Sequence, residues 1–488
     1  MNAPANAAPA LKVAVVGHTN TGKTSLLRTL TRDETFGEVS DRPATTRHVE
    51  GAMLLVRGQP AVELYDTPGL EDSIGLLELL ERHRAGAASR IDGIDQIRAF
   101  LGSSDATADA SAGTNAGGRF QQEAKALRQV LASDIALYVI DARDRVLGKH
   151  RDELEILARC AKPVVPVLNF VASPEAQIAL WREHLSRANL HAVAEFDTVV
   201  LDDQTERRLL EKMRSLLDHH HATLNALIEE RERLRAGLIT TSCLMIADLI
   251  IDVGAHQVSV PAQDRLQVQD AMESLRQRIR EREQRCVDQL LQLHRFSKQD
   301  LAATDLPMHD GRWGVDLFSP AAMKQFGVRT GSAAAAGAVA GLTIDAMVGG
   351  LTLGAATALG AAIGGALGVA HTHGRRILDR MRGHSELAAD DRTLQLLLAR
   401  QGALLQALQR RGHASLEPIH INDVAGTPQV DGKSSTIAGL MDDIRLHPSW
   451  SRLQEFGPAL AWSEAARQTV QERLAKAIHA SLASRATL

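Results

Sequence analysis

Short apolar, β-branched runs recur along the first part of the chain. "LKVAVV" (11–16) ends on a glycine, and "AVELY" (61–65), "DIALYVID" (134–141), "PVVPVLNF" (163–170) and "DTVVLDD" (197–203) repeat the pattern. Each reads as a strand. Between them, "TSLLRTL" and "HRDELEILARCA" carry apolar residues at helical spacing. Strands alternating with helices predict an α/β domain, a mostly parallel sheet with helices on both faces. One interval is long. Roughly 70 residues separate Asp66 from the run at 134, well above an ordinary connection. It contains "GSSDATADASAGTNAGG" (102–118), which cannot bury apolar surface and predicts a mobile insertion.

The pattern changes near residue 205. "TERRLLEKMRSLLDHHHATLNALIEERERLRAGLITTSCLMIADLIIDVG" is helical in period, and "DRLQVQDAMESLRQRIREREQRCVDQLLQLHRF" continues it with dense alternating charge. These predict long helices over 205–330, an antiparallel pair hinged near Gly254–Pro261. The charges of "RIREREQR" read as a charged helix face and not a nucleic-acid patch, because acids interleave with the bases. Residues 371–488 are again mostly helical in pattern.

Residues 331–370 are rich in glycine and alanine, with Asp345 the only charge. Gly337 and Gly341, Gly350 and Gly354, and Gly360, Gly364 and Gly368 stand four apart, a spacing that lets helices approach closely. The length suits a helical hairpin. Lys324 and Arg329 precede it, and Arg375, Arg376, Arg380 and Arg382 follow, as the positive-inside rule asks of a membrane hairpin. Alanine and glycine give little transfer energy, and Asp345 would be costly in lipid. A membrane hairpin and a tightly packed soluble one both stay open.

The first strand runs into candidate chemistry. "VVGHTNTGKTS" holds Gly17, Asn20, Thr21, Gly22, Lys23, Thr24 and Ser25 in the spacing of a phosphate-binding loop, after a strand and before a helix. Glycines let several N–H groups converge on one phosphate. Lys23 would neutralise the β- and γ-phosphates, and the Thr24 hydroxyl would ligate magnesium. The helix adds its positive end. In "LYDTPGL" (64–70), Asp66 ends a strand and would hold magnesium through water, while Gly69 would offer its N–H to the γ-phosphate. "DRPATTRH" (41–48) lies between. A threonine there, Thr46 first and Thr45 second, would bind magnesium only beside a γ-phosphate, which makes a switch. Lys23 and Thr46 are the candidate catalytic residues; Thr24, Thr46 and Asp66 are the candidate metal ligands.

Over about residues 11–200 these motifs resemble the Era and TrmE group of translation-class GTPases. The resemblance implies a Ras-like fold, bound GTP or GDP with magnesium, GTP hydrolysis and a conformational switch. It also implies ribosomes or tRNA as partners and a homodimer through the GTPase domain. Leu70 follows the Asp-Thr-Pro-Gly glycine, where Ras-type enzymes place a water-orienting glutamine, so slow hydrolysis is expected. Some members of the group hold a potassium ion with the asparagine that matches Asn20. The other reading of Asn20 is a strut of the loop. Beyond 205 the chain resembles a helical domain fused to such GTPases in some bacterial proteins.

The base-reading motif departs from the family. Where it has Asn-Lys-x-Asp, this chain has Asn169, Phe170, Val171 and Ala172. Asn169 survives as the candidate reader. The aspartate that would accept two hydrogen bonds from guanine is missing, which should cost on the order of a hundredfold in base discrimination. No Ser-Ala-Lys motif is visible near "FDTVVLDD".

Bulk composition narrows the rest. With 488 residues and 44% hydrophobic content, the chain can bury more than one core, roughly two to four domains. A net charge of −4 gives no global case for nucleic acid. Cys160, Cys243 and Cys286 are far apart and odd in number, as expected of free thiols in a reducing cytoplasm. "MNAPANAAPA" has no basic start or long apolar core and reads as a disordered leader, not a secretory signal. The expected domain plan is therefore 1–10 leader, 11–204 GTPase, 205–330 long helices, 331–370 hairpin and 371–488 helical. The expected function is a GTP-binding switch that hydrolyses slowly and acts on its helical part, in the cytoplasm. Two alternatives are a membrane-associated dynamin-like GTPase that uses 331–370, and a non-hydrolysing scaffold.

Overall fold

A computed structural model of the chain describes residues 9–32, 50–85, 92–106, 119–198, 204–261, 263–296, short stretches between 308 and 326, 384–410, 435–453 and 461–483. Thr45, Thr46, most of the 102–118 insertion and the whole 331–370 segment lie outside the described residues. The chain divides into two compact units, one ending at Leu234 and one beginning at Arg235.

The first unit is built on a six-stranded sheet. Its strands are β1 (Leu11–Val16), β2 (Glu50–Val56), β3 (Gln59–Asp66), β4 (Ile135–Asp141), β5 (Val164–Asn169) and β6 (Ala194–Glu195), in the order β2-β3-β1-β4-β5-β6. Only β2 is antiparallel to its neighbour. It joins β3 through Arg57 and Gly58, both at positive φ, the two-residue turn that matches strand twist. Helices α1 (Lys23–Thr31), α2 (Ser73–Ala85), α3 (Gly93–Leu101), α4 (Gln121–Ala132), α5 (Gly148–Arg159), α6 (Ile178–Arg187) and α7 (Thr205–Leu216) complete the unit, with the start of α8 (His221–Ala255).

Period-2 alternation divides the core into two faces. Leu11, Val13 and Val15 of β1 and Ile135, Leu137 and Val139 of β4 pack with Leu26 and Leu27 of α1, Leu209 of α7 and Leu224 of α8. Ala14, Val16, Ala136, Tyr138 and Ile140 face the other way, onto α2 to α6 through Leu76, Ile97, Leu127, Leu157 and Trp181. Each fully buried leucine here is worth about 2 kcal/mol. Helices α7 and early α8 are thus part of this unit's core.

The described residues of the long interval before β4 are largely helical, with α2, α3, a 3-10 turn at Ser104–Ala106 and α4. The expected strand over 197–203 is not found where it can be seen. The last strand is Ala194–Glu195, and Asp197 and Thr198 follow it outside any strand. Their side chains are used for hydrogen bonds instead, as described below.

The second unit holds the rest of α8, with β7 (Gln257–Pro261), α9 (Arg265–Leu293), β8 (Met308–His309), β9 (Arg312–Trp313), β10 (His384–Ala388), α10 (Asp391–Arg410), α11 (Ser435–Arg445) and α12 (Ala461–Ala483). Helices α8 and α9 run antiparallel: Ser242 meets His294, and Asp252 meets Arg282. The link between them is a strand, β7, paired with β10. "RIREREQR" is not a fully solvated face, because Arg282 and Glu283 within it are buried. Arg282 donates to Asp248 (2.8 Å) and Asp252 (2.7 Å), and Arg467 of α12 reaches the same two aspartates. Buried charge persists because it is paired. Among the described residues one helix, Asp218–Ala255, is long and apolar enough to cross a membrane by length and composition; 50% of its most apolar window is buried inside the protein.

Candidate functional site

The carboxyl ends of the parallel strands gather the predicted residues, as expected for this sheet type. β1 runs into Gly17 at φ +149°, where an added Cβ would collide with the carbonyl oxygen of Val139. Asn20 is exposed at the turn of the loop in a left-handed conformation (φ 64°). Thr21 Oγ1 donates to the His18 carbonyl at 3.0 Å. Gly22 (φ +90°) is the N-cap of α1, and a Cβ there would collide with Nδ2 of Asn169. Only glycine takes both conformations without strain.

Lys23 opens α1, and its Nζ donates to the carbonyls of Gly17 (3.2 Å) and His18 (2.7 Å). Burial lowers its pKa, while the charges of Asp66, Glu153 and Glu71 oppose the shift. Thr24 Oγ1 donates to Asp66 Oδ2 at 2.5 Å. A hydroxyl and a carboxylate thus converge beside the loop, a donor set that suits a hard divalent cation such as magnesium. Ser25 follows on α1, where its carbonyl accepts from Thr29 Oγ1 at 2.9 Å.

The turn after β3 lies directly on the loop. A Cβ on Gly69 would meet the Thr19 backbone N at 2.9 Å, and Leu70 N donates to the Gly17 carbonyl at 3.2 Å. Thr67 Oγ1 donates to the Val15 carbonyl at 2.7 Å. His18 adds a strut that the sequence reading missed. Its Nδ1 lies 3.0 Å from the Leu70 carbonyl and 3.1 Å from Glu153 Oε1. Both partners are acceptors, so Nδ1 carries the proton. Glu153 is fully buried and accepts from Tyr138 Oη at 2.6 Å. Burial and the Glu153 charge hold the Tyr138 phenol well above its ordinary pKa. The signal was an acid on the inward face of "HRDELEILARCA".

At the other end, β5 finishes on Asn169, which is fully buried. Its Nδ2 donates to the Thr21 carbonyl at 3.0 Å. Its Oδ1 accepts from Phe170 N (2.9 Å) and from Thr198 N and Oγ1 (both 3.0 Å). Asn169 therefore ties the phosphate loop to the segment after β6. Thr198 stands between Asp197 and Val199, in the stretch where no Ser-Ala-Lys motif is visible. Phe170 takes a left-handed backbone (φ 57°), and its ring tip lies 3.5 Å from where a Gly22 Cβ would be. The Arg143 guanidinium sits 4.0 Å from the Phe170 ring centroid. Asp141 at the end of β4 fixes that guanidinium through bonds of 3.0 and 2.7 Å. Ala172 N donates to Asp197 Oδ2 at 2.8 Å.

A family model described as a domain of unknown function (DUF3482) matches residues 182–476, more than half of the chain. The chain belongs to the DUF3482 family. A second model, described as 50S ribosome-binding GTPase, matches residues 12–170 of this DUF3482 protein. Its N-terminal part is a GTPase domain of the Era and TrmE kind, and the helical part follows it. The DUF3482 match begins inside α6, so it takes in β6 and α7 of the first unit.

The tRNA modification GTPase MnmE of Synechococcus elongatus is 30% identical over 227 residues, 44% of this chain and 44% of that protein. MnmE of Picosynechococcus sp. is 42% identical over 80 residues, 16% of this chain and 17% of that protein. A solved structure of Era in complex with MgGDPNP and nucleotides 1506–1542 of 16S ribosomal RNA shares 17% identity over 39% of this chain and 51% of that one, with a TM-score of 0.27. The DUF3482 protein spans about 44% of the length of the first of these relatives.

Proposed function

We propose that the chain binds GTP with magnesium, hydrolyses it slowly, and uses the nucleotide state as a switch on its helical part. What supports this most is the convergence of Lys23, Thr24 and Asp66 on one loop whose glycines admit no side chain. Phosphoryl transfer asks little covalent chemistry of a protein and much positioning of charge. In this reading the loop amides and Lys23 take the β- and γ-phosphates, and Thr24 and Asp66 hold magnesium with Thr46. Magnesium supplies charge neutralisation between the phosphates. Asn20, exposed at the turn of the loop, is the position for a potassium ion.

Slow turnover follows from Leu70. It is fully buried and offers no side-chain donor or acceptor to a water. Intrinsic hydrolysis on the order of 10⁻³ s⁻¹ is expected, as in enzymes lacking a stimulating partner. The Leu70 backbone is bonded to Gly17 and faces His18, so a change at the phosphate end passes straight into the turn that leads to α2.

Phosphate release by the full chain with GTP and magnesium tests the proposal. Lys23→Ala and Asp66→Ala should each abolish release above background. Equal release by wild type and both variants removes the catalytic assignment.

A further inference from the structure

His18 fills a position that the phosphate-loop motif leaves open, yet its side chain fastens the turn after β3 to the loop. We propose that His18, held in place by the buried Glu153, docks the Leu70 turn on the phosphate loop and thereby sets the affinity for GTP relative to GDP. Both are positioning residues in this assignment, and their side chains act through the turn. The assignment rests on the GTP reading of the site given above.

Three observations carry it. First, one N–H serves two elements. His18 Nδ1 lies 3.0 Å from the Leu70 carbonyl oxygen and 3.1 Å from Glu153 Oε1, so its hydrogen is shared between the turn and α5. Which ring nitrogen carries the proton is set by the ring's partners. The other neutral tautomer would set the Nδ1 lone pair against two acceptors. Second, Glu153 is anchored on its far side. It has no exposed surface, and its Oε2 accepts from Tyr138 Oη at 2.6 Å. A buried carboxylate that loses a partner is costly, so the carboxylate and the ring hold each other. The Glu153 charge also acts on Lys23, where it opposes the fall in pKa that burial causes. Third, the rest of the turn is set against the loop and α4. Leu70 N donates to the Gly17 carbonyl at 3.2 Å, and Thr19 Oγ1 donates to Glu71 Oε1 at 3.3 Å. Glu71 N and Asp72 N donate to Oε1 of the buried Glu123 on α4, at 3.2 and 3.0 Å. His18 adds the link from this turn to a further helix, α5.

The consequence differs between nucleotides. In the GTP reading Gly69 offers its N–H to the γ-phosphate, so GTP gains from a turn that is already docked. GDP has no γ-phosphate and gains nothing there. The apparent affinity of a ligand falls with the fraction of protein in the competent state. Losing the tie therefore weakens GTP and largely spares GDP. General damage to the loop would weaken both alike, because both carry the α- and β-phosphates.

The test is competition of GDP and a non-hydrolysable GTP analogue against a fluorescent GDP analogue, on the full chain with magnesium. It uses wild type, His18→Leu, His18→Asn and Glu153→Leu. His18→Leu removes the donor, and the GTP-to-GDP affinity ratio should fall roughly tenfold, the change that one hydrogen bond to a charged group is worth. Glu153→Leu should lower the ratio in the same direction. His18→Asn places an amide N–H donor near the position of Nδ1 and should keep most of the wild-type ratio. Where Glu153→Leu does not fold, Glu153→Gln takes its place and should give a smaller fall. An unchanged ratio in His18→Leu, or equal weakening of both nucleotides, overturns the assignment and leaves the GTP reading intact. A fall in His18→Asn as large as in His18→Leu overturns it too. An unchanged ratio in the Glu153 variant removes Glu153 from the assignment. A wild-type chain that binds neither nucleotide overturns the GTP reading, and the assignment with it.

Discussion

The two ends of the nucleotide cleft are made by opposite means. At the phosphate end the backbone supplies most of the contacts, so the requirement is for glycine at fixed places: Gly17 against the Val139 carbonyl, Gly22 against Asn169, Gly69 against Thr19. No other residue can be exchanged for these, and the motif stays contiguous in the chain. Where the base-reading motif falls, side chains from 141–143, 169–172 and 197–198 bond one another and the main chain. A carboxylate or a cation can arrive from any neighbouring loop. Backbone chemistry therefore keeps its sequence signature, whereas side-chain chemistry can be redistributed and lose it.

The largest test of that contrast is Gly17→Ala. The added methyl would collide with a main-chain oxygen of β4, and the left-handed backbone adds strain of about 1–3 kcal/mol. Binding of GTP and of XTP should fall together, by a hundredfold or more, as measured by competition. A loss confined to GTP would mean that the two ends are not separable.

Asn169→Ala comes next and strikes the joint between the ends. It removes the bonds to Thr21, Phe170 and Thr198 and leaves buried groups unpaired, at about 1–3 kcal/mol. That corresponds to roughly ten- to hundredfold weaker binding. Because Asn169 is spent on the protein's own backbone, the GTP-to-XTP ratio should stay as in wild type. A changed ratio would make Asn169 a direct reader.

The same contrast explains what was legible in the sequence. The strands β1, β3, β4 and β5 and the loop at 17–25 could be read because their patterns are local. β2 escaped notice because an edge strand leaves Met53 and Leu55 exposed, which blurs the alternation. The helix α3 was hidden in the long interval before β4, although Ile97 and Phe100 stand three apart on its buried face. His18 and Glu153 stand 135 positions apart, and Ala172 and Asp197 stand 25 apart. Neither pairing has a local period, so only the fold brings them together. The pairing of the buried charges of α9 was not legible for the same reason, since their partners lie on α8 and α10.

The smallest effect belongs to Arg143→Ala, and it is the most diagnostic of how the base end was reassembled. A cation over an aromatic ring contributes about 0.5–1 kcal/mol at a partly exposed site, and Arg143 is 42% exposed. Losing it should weaken GTP by roughly two- to fivefold. The loss should shrink in high salt, because a half-exposed guanidinium acts on the nucleotide through screened charge. Lys would not restore it fully, since the fork bonded to Asp141 aims the guanidinium plane. If Arg143→Ala changes neither affinity nor its salt dependence, the positive charge of the missing lysine has not been replaced from the loop after β4.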